Sequence, residues 1–245
     1  MCIMEWRMHQ VVILFTLLLL LISVSMSGQN FSSEKQLYPK FRDLFNGLPF
    51  ATPNSRVSTD IYFDEEWKLG TVILHETNDT IKGFLLRYNI YLNEIEIRSQ
   101  SGIRALANAK VKRFTFQDSV STASTQFVNS RPYTLDEVPL LGFFELLVDG
   151  QVPLLKRHTI TIKEPDYIPA LNTGSRDMEI KRNTEYYVAF GSILTVVKGK
   201  KKLLEAFGQH AEAVNAFMKT NYLHVYDQNG LIRILEYYNT LLNTH

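Results

Sequence analysis

From Gly70 to Asp118 the apolar residues come in short runs broken by turn chemistry: "GTVIL", "KGFLLRYN", "EIEIRS" and "VKRFTFQD". Runs of roughly four to eight residues, rich in Val, Ile, Phe and Tyr and spaced about ten apart, predict antiparallel strands. In "NEIEIRS", Ile95 and Ile97 alternate with Glu94, Glu96 and Arg98, the pattern of a strand with one wet face. The stretch "FFELLVDGQVPLLKR", Phe143 to Arg157, has a different texture. A hairpin turning at Asp149 and Gly150 puts Phe144, Leu146 and Val148 on one face and Phe143, Glu145 and Leu147 on the other. Both faces are apolar except at Glu145, so both need cover. Leaving such side chains wet would forfeit roughly 1.5–3 kcal/mol each. Pro153 has no N–H for a ladder, which predicts that the second strand lies at an edge.

A polar interval, "KEPDYIPALNTGSRD", leads to a second hairpin-like unit, "EYYVAFGSILTVVKG", centred on Gly191. The likeness to the first hairpin spans two strands, too little for a repeat architecture. The period then changes. Leu203, Leu204 and Phe207, then Val214, Phe217 and Met218, then Leu231, Leu235, Tyr238 and Leu242 recur at three and four residues, predicting about three amphipathic helices. Gly208 ends the first helix and Asp227 caps the last. The fold class expected is α+β: a predominantly antiparallel sheet, residues 60–198, with a C-terminal helical cap, residues 199–245, covering the two-sided hairpin. Residues 28–59 read as an extended lead-in with at most a short helical turn at Phe41 to Phe45.

The start of the chain has its own pattern. A polar opening with Glu5 and Arg7 runs into "VVILFTLLLLLISV" at Val11 to Val24, followed by the small residues Ser25, Ser27 and Gly28. This is a secretory signal pattern, with residues 1–27 removed by cleavage near Ser27. The apolar core is shorter than the roughly 17–25 residues of a spanning helix. Its weakly basic start leaves open the second reading, an uncleaved anchor. Both readings place the remainder outside the cytoplasm, secreted or periplasmic.

Composition narrows the function classes. The one cysteine, Cys2, precedes the apolar run, so the exported part has no disulfide, no thiol nucleophile and no thiolate ligand. The 26 basic and 25 acidic residues leave a net charge of +1, which argues against a nucleic-acid-binding protein. No G-x-S-x-G, Walker loop, G-x-G-x-x-G or H-E-x-x-H occurs, and no two of His75, His158, His210, His224 and His245 stand at i, i+2 or i, i+4. No metal and no cofactor is expected. Ser175, in "NTGSRD", reads as a turn residue.

Three clusters are left as candidates. "DIYFDEEW" gathers Asp60, Asp64, Glu65 and Glu66 ahead of Trp67, either a solvated strand entrance or the acidic, aromatic lining of a glycan site. With Glu145, the residues Glu65 and Glu66 are the candidates for carboxylate catalysis, although Glu145 is expected to form an ion pair with Lys156, diagonally across the hairpin. "KGKKK", Lys198 to Lys202, reads as a solvated connection between strand and helix in which Lys200, Lys201 and Lys202 form an anion-binding candidate. Trp67, Tyr88 and Tyr91 are surface aromatic candidates for binding.

The order of "WKLGTVIL", "YNIYLNEIEI", "VKRFTF", "FFELLVDGQVPLLKR", "EYYV" and "LIRILEYYNTLL" behind a signal segment resembles an uncharacterised family of secreted bacterial proteins. The resemblance implies an envelope setting and carries no functional residue. The function expected is a non-enzymatic envelope module that binds another protein or an envelope polymer. Two alternatives stand beside it: a carboxylate-dependent envelope hydrolase or transferase, and an apolar-ligand carrier. Membrane contact is expected only through an uncleaved signal segment.

Overall fold

The computed structural model describes residues 47–51, 59–118 and 124–243. The expected signal segment, nearly all of the expected lead-in and the turn expected at Phe41 to Phe45 lie outside the described residues. Among the described residues, no helix is long and apolar enough to cross a membrane.

The fold is an antiparallel sheet with a C-terminal helical cap. Its strands in chain order are β1 Lys68–Leu74, β2 Thr80–Asn89, β3 Glu94–Ser99, β4 Gly102–Ala107, β5 Val111–Gln117, β6 Ser124–Asn129, β7 Thr134–Leu135, β8 Val138–Pro139, β9 Phe143–Val148, β10 Leu154–Lys163, β11 Glu179–Phe190 and β12 Ile193–Val196. They form one sheet in the order β4-β3-β2-β1-β5-β6-β9-β10-β11-β12-β7-β8. One bridge, Ile193 to Thr134, is parallel. The helices are α1 Lys200–Ala206, α2 Ala211–Thr220 and α3 Gln228–Leu242.

The hairpin forms, β9 against β10, but its turn runs from Asp149 to Pro153 and its first ladder pair centres on Gln151 rather than on Asp149 and Gly150. Asp149 Oδ1 accepts from the Gly150 N–H at 2.9 Å. Glycine is required at position 150 because the backbone runs against the Asn239 side chain of α3, and a Cβ there would stand 2.8 Å from it. Asn239 clips the hairpin to the cap. Its Oδ1 accepts from the Val152 N–H at 2.9 Å, and its Nδ2 donates to Val152 O at 2.9 Å and Leu235 O at 3.0 Å.

The edge position expected for β10 does not hold over its first half. Leu154 to Arg157 pair with β9 on one side and β11 on the other. Pro153 is tolerated because it lies just before the first ladder pair, Leu154 with Val148, and uses only its carbonyl, which accepts from the Ala189 N–H at 3.2 Å. The register shifts between Leu154 and Leu155, leaving Leu147 as an extra residue in β9. Such a bulge changes the alternation of faces. Leu147 and Val148 therefore both meet the cap, in a core with Val152, Leu154, Val188, Leu203, Phe207, Leu231 and Leu235. The other face of the hairpin buries Phe144 and Leu155 with Tyr187 and Leu194, covered by Tyr133, Leu135 and Leu140. The need for cover on both sides is met by helices on one face and by the β6–β9 connection on the other.

Asp227 caps α3, its Oδ2 accepting from the Gly230 N–H at 2.7 Å, and Gly208 follows α1 with φ 55°. Lys200 to Lys202 are the first residues of α1 rather than a connection. Glu96 corrects a second expectation. It is buried, not wet, because Tyr62 and Arg87 close over it: Arg87 donates to Glu96 Oε2 at 2.7 Å and Tyr62 to Oε1 at 3.0 Å.

Candidate functional site

Tyr88 is not a surface aromatic. It is 1% exposed in a cluster of rings with Phe114, Phe127 and Phe143, at centroid distances of 5.4–5.5 Å. Tyr91 is exposed on the β2–β3 turn. Trp67 is half-buried, with the Arg87 guanidinium 4.5 Å and the Arg98 guanidinium 4.4 Å from its ring centroid. Arg87 also lies 3.7 Å from the Tyr62 ring centroid. These residues roof the buried Glu96, and burial first, then the Glu96 charge, pushes the Tyr62 hydroxyl up to about 12. The stack acts as cover for the outer face of β2 and β3, a structural role that accounts for Trp67.

The carboxylates separate into two surroundings. Glu65 and Glu66 are exposed on the turn ahead of β1, where Asp64 Oδ1 accepts from the Glu66 N–H at 3.0 Å and Asp64 pairs with Lys68 at 2.6 Å. Glu145 lies between the cap and the aromatic cluster, its side chain 14% exposed. Lys156 stands directly opposite Glu145 in the ladder, not diagonally, with Nζ 3.8 Å from Oε2. The closer partner is His158, whose Nε2 is 2.7 Å from the same oxygen. Lys156 Nζ also donates to Gln228 Oε1 of α3 at 2.9 Å, and Tyr186 donates to that oxygen at 3.2 Å. The imidazole is flanked by Phe63, edge-on at 5.1 Å. The arrangement ties β9, β10, β11 and α3 together through polar groups where the two apolar cores meet. Among the described residues, no group of three or more His, Cys, Asp or Glu is placed to hold a metal ion.

The site that sequence reasoning missed lies at the turn between α2 and α3. A groove of about 310 Å³ opens there, with Met218, Leu223 and Val225 as its apolar lining and Lys200, Lys219, Tyr222, His224 and Tyr226 around them. Tyr222 is 87% and Tyr226 84% exposed. The backbone explains the first of these. After α2, the Leu223 N–H bonds to Met218 O at 2.9 Å and Tyr222 adopts φ 54°, the left-handed residue that closes a helix and is usually glycine. A tyrosine pays about 1–2 kcal/mol for that conformation. Its ring gains no burial in return. Tyr226 precedes the Asp227 cap, where an apolar residue commonly packs back on the helix; here it stands clear, its hydroxyl 3.4 Å from the position of a Cβ on Gly199 at the start of α1. Lys200, from the lysine run, joins the groove, while Lys201 and Lys202 are exposed on α1 beside it, Lys201 lying 3.9 Å from Glu205. The signal in the sequence was "NYLHVYD", in which Tyr222, His224 and Tyr226 alternate just after a helix that ends without glycine.

Comparison with protein-family models, with curated proteins and with solved structures finds no match.

Proposed function

We propose that the protein is an exported, non-enzymatic binding module of the bacterial envelope, and that the groove between α1 and the α2–α3 turn holds an anionic polymer, an acidic polysaccharide. The observation that carries this reading is Tyr222, a non-glycine residue in the left-handed conformation whose ring is almost wholly in solvent. Residues held in strained backbone regions cluster at active sites and ligand clamps. Aromatic faces bind the apolar faces of sugar rings, and Lys200 and Lys219 supply charge for carboxylate or phosphate groups. Export rests on the apolar run Val11 to Val24 and on the resemblance to secreted bacterial proteins.

The competing readings have less to stand on. Glu65 and Glu66 are exposed on a turn, and Glu145 Oε2 is held by His158 and Lys156. For a carrier of apolar ligands, the space beside β5, β6 and β9 is filled by stacked rings, Phe114 on Phe127 at 4.6 Å and Phe143 edge-on at 5.0 Å.

Tyr222→Gly separates fold from function. Glycine relieves the left-handed strain, so the variant should be as stable as the wild type or more stable by up to about 1 kcal/mol, with a melting temperature at or above the wild-type value. Affinity for a polyuronate, measured by calorimetry, should fall at least about tenfold, as it should for Tyr226→Ala. Unchanged affinity in both variants would remove the groove from the account.

A further inference from the structure

We propose that the protein forms a symmetric dimer through the free edge of β10, Thr159 to Lys163, each copy adding its strand antiparallel to the same strand of the other. The inference is independent of the groove.

Sheet edges left unpaired are sites of strand addition, and proteins blunt those they do not use. The two end strands of this sheet, β4 and β8, are blunted. On β4, Phe50 bridges to Arg104, the Ala51 N–H donates to Ile103 O and the Ala105 N–H donates to Pro49 O, so a stretch of chain covers that end. At the opposite end β8 is two residues long and contains Pro139. Beyond Arg157 the β10–β11 pair continues as a two-stranded arm, because β9 pairs no further than Arg157 and β12 no further than Tyr187. The outer edge of β11 in this arm carries Glu179, Lys181, Arg182 and Glu185, and Arg182 is engaged with Asp60 O at 3.0 Å. The outer edge of β10 reads Thr159, Ile160, Thr161, Ile162, with no charge before Lys163 and no proline. Among the described residues nothing pairs with it on that side. These are strong strand formers left as an open ladder.

The composition of this edge is self-complementary. A two-fold axis at Thr161 sets Thr159 opposite Lys163 of the partner subunit and Ile160 opposite Ile162 of the partner subunit. No like charges face each other, and the half-buried isoleucines meet across the junction. The same operation on β11, centred on Lys181, would set two lysines face to face. The ends match as well. Continuing the register brings the tip of one arm, beyond Pro165, alongside Arg157 of the partner subunit. At the tip, Ile168 and Leu171 are 49% and 67% exposed on a loop braced by Asp166 and Ser175, whose backbones bond at 3.0 Å, and by Arg176 stacked on Tyr167. Around Arg157 stand Leu141, exposed, and Tyr91, both lining a cavity of about 110 Å³ that runs along Thr159 and Ile160. Each copy thus carries an exposed apolar tip and, at the base of its arm, the exposed Leu141 and Tyr91 beside a mostly polar cavity that borders the strand edge.

Position 159 gives a test with two signs. Because Thr159 faces Lys163 of the partner subunit twice per dimer, Thr159→Glu should tighten association and Thr159→Lys should weaken it about tenfold, measured by sedimentation equilibrium across the micromolar range. Melting temperatures recorded in parallel on dilute protein separate these shifts from a fold defect. Leu171→Glu, remote from the ladder, should weaken the dimer without changing the melting temperature. A wild-type protein monomeric throughout that range, or a dimer that responds alike to both charges at position 159, overturns the proposal.

Discussion

Removing the chain from Lys200 onward should abolish cooperative unfolding and leave an aggregating or molten protein. The cap supplies one wall of a core to which the sheet contributes Val148, Val152, Leu154 and Val188, all buried, with Leu147 and Tyr186 partly so. Exposing these residues costs roughly 1.5–3 kcal/mol each. That loss is on the scale of the whole stability of a domain, about 5–15 kcal/mol. Rings are lost as well: Phe207 stacks on Tyr238 at 4.1 Å and Phe217 on Tyr237 at 4.0 Å. A single side chain gives a milder form of the same experiment. Asn239→Ala leaves the N–H and C=O of Val152 without their partner where water has poor access, at a cost of about 2–4 kcal/mol. Near-ultraviolet circular dichroism during heating reads both. A truncated protein that melts cooperatively at the original temperature would show the helices to be a separate unit, and the architecture described above would fail.

The second large effect is expected at Glu145. Replacing it with Gln leaves Lys156 and His158 without their carboxylate in a site whose side chains are 13–17% exposed, at a cost of about 1–3 kcal/mol. The two partners are not equal. His158 lies at 2.7 Å and Lys156 at 3.8 Å, and Lys156 keeps Gln228 when Glu145 is gone. Double-variant cycles should therefore give a coupling near 1–3 kcal/mol for Glu145 with His158 and below about 1 kcal/mol for Glu145 with Lys156. Replacing Glu145 and Lys156 together should recover only part of the loss. A larger coupling to Lys156 than to His158 would contradict the geometry. A negligible effect of Glu145→Gln on stability would return the residue to the candidates for catalysis.

Much of this fold was written in local pattern, and the failures have specific causes. The strands at Gly70, Lys82, Glu94, Val111 and Phe143, and the part of β11 from Glu185, are rich in β-branched and aromatic residues, and the helices from Lys200 onward have clean three-and-four spacing. The strand Gly102–Ala107, "GIRALA", has almost none of that chemistry. It is a strand because β3 and the Pro49–Ala51 stretch supply its ladder on both sides. Strand preference reflects such surroundings more than the residue itself. Glu96 was misplaced because alternation reports which face a residue takes, not what will cover that face; Tyr62 and Trp67, both ahead of β1 in the chain, supply the cover. Proline at 153 pointed to an edge because its position relative to the first ladder pair, and the bulge at Leu147, depend on the partner strand.

The site was less legible than the fold. Lys200 was visible in a charge run, but its partners Tyr222 and Tyr226 lie in a turn and meet it only through the packing of α1 against α2 and α3. Surface aromatic residues were sought where they are conspicuous, in the strands. Of those, Tyr88 is core and Trp67 lies against two arginines.

Amide hydrogen exchange with and without a saturating polyuronate locates the bound polymer without recourse to a variant. The account predicts added protection confined to residues 199–203 and 218–227, the two segments that build the groove. Protection centred instead on β2 and β3 around Trp67, Arg87 and Arg98, or no change anywhere at saturating polymer, would contradict it.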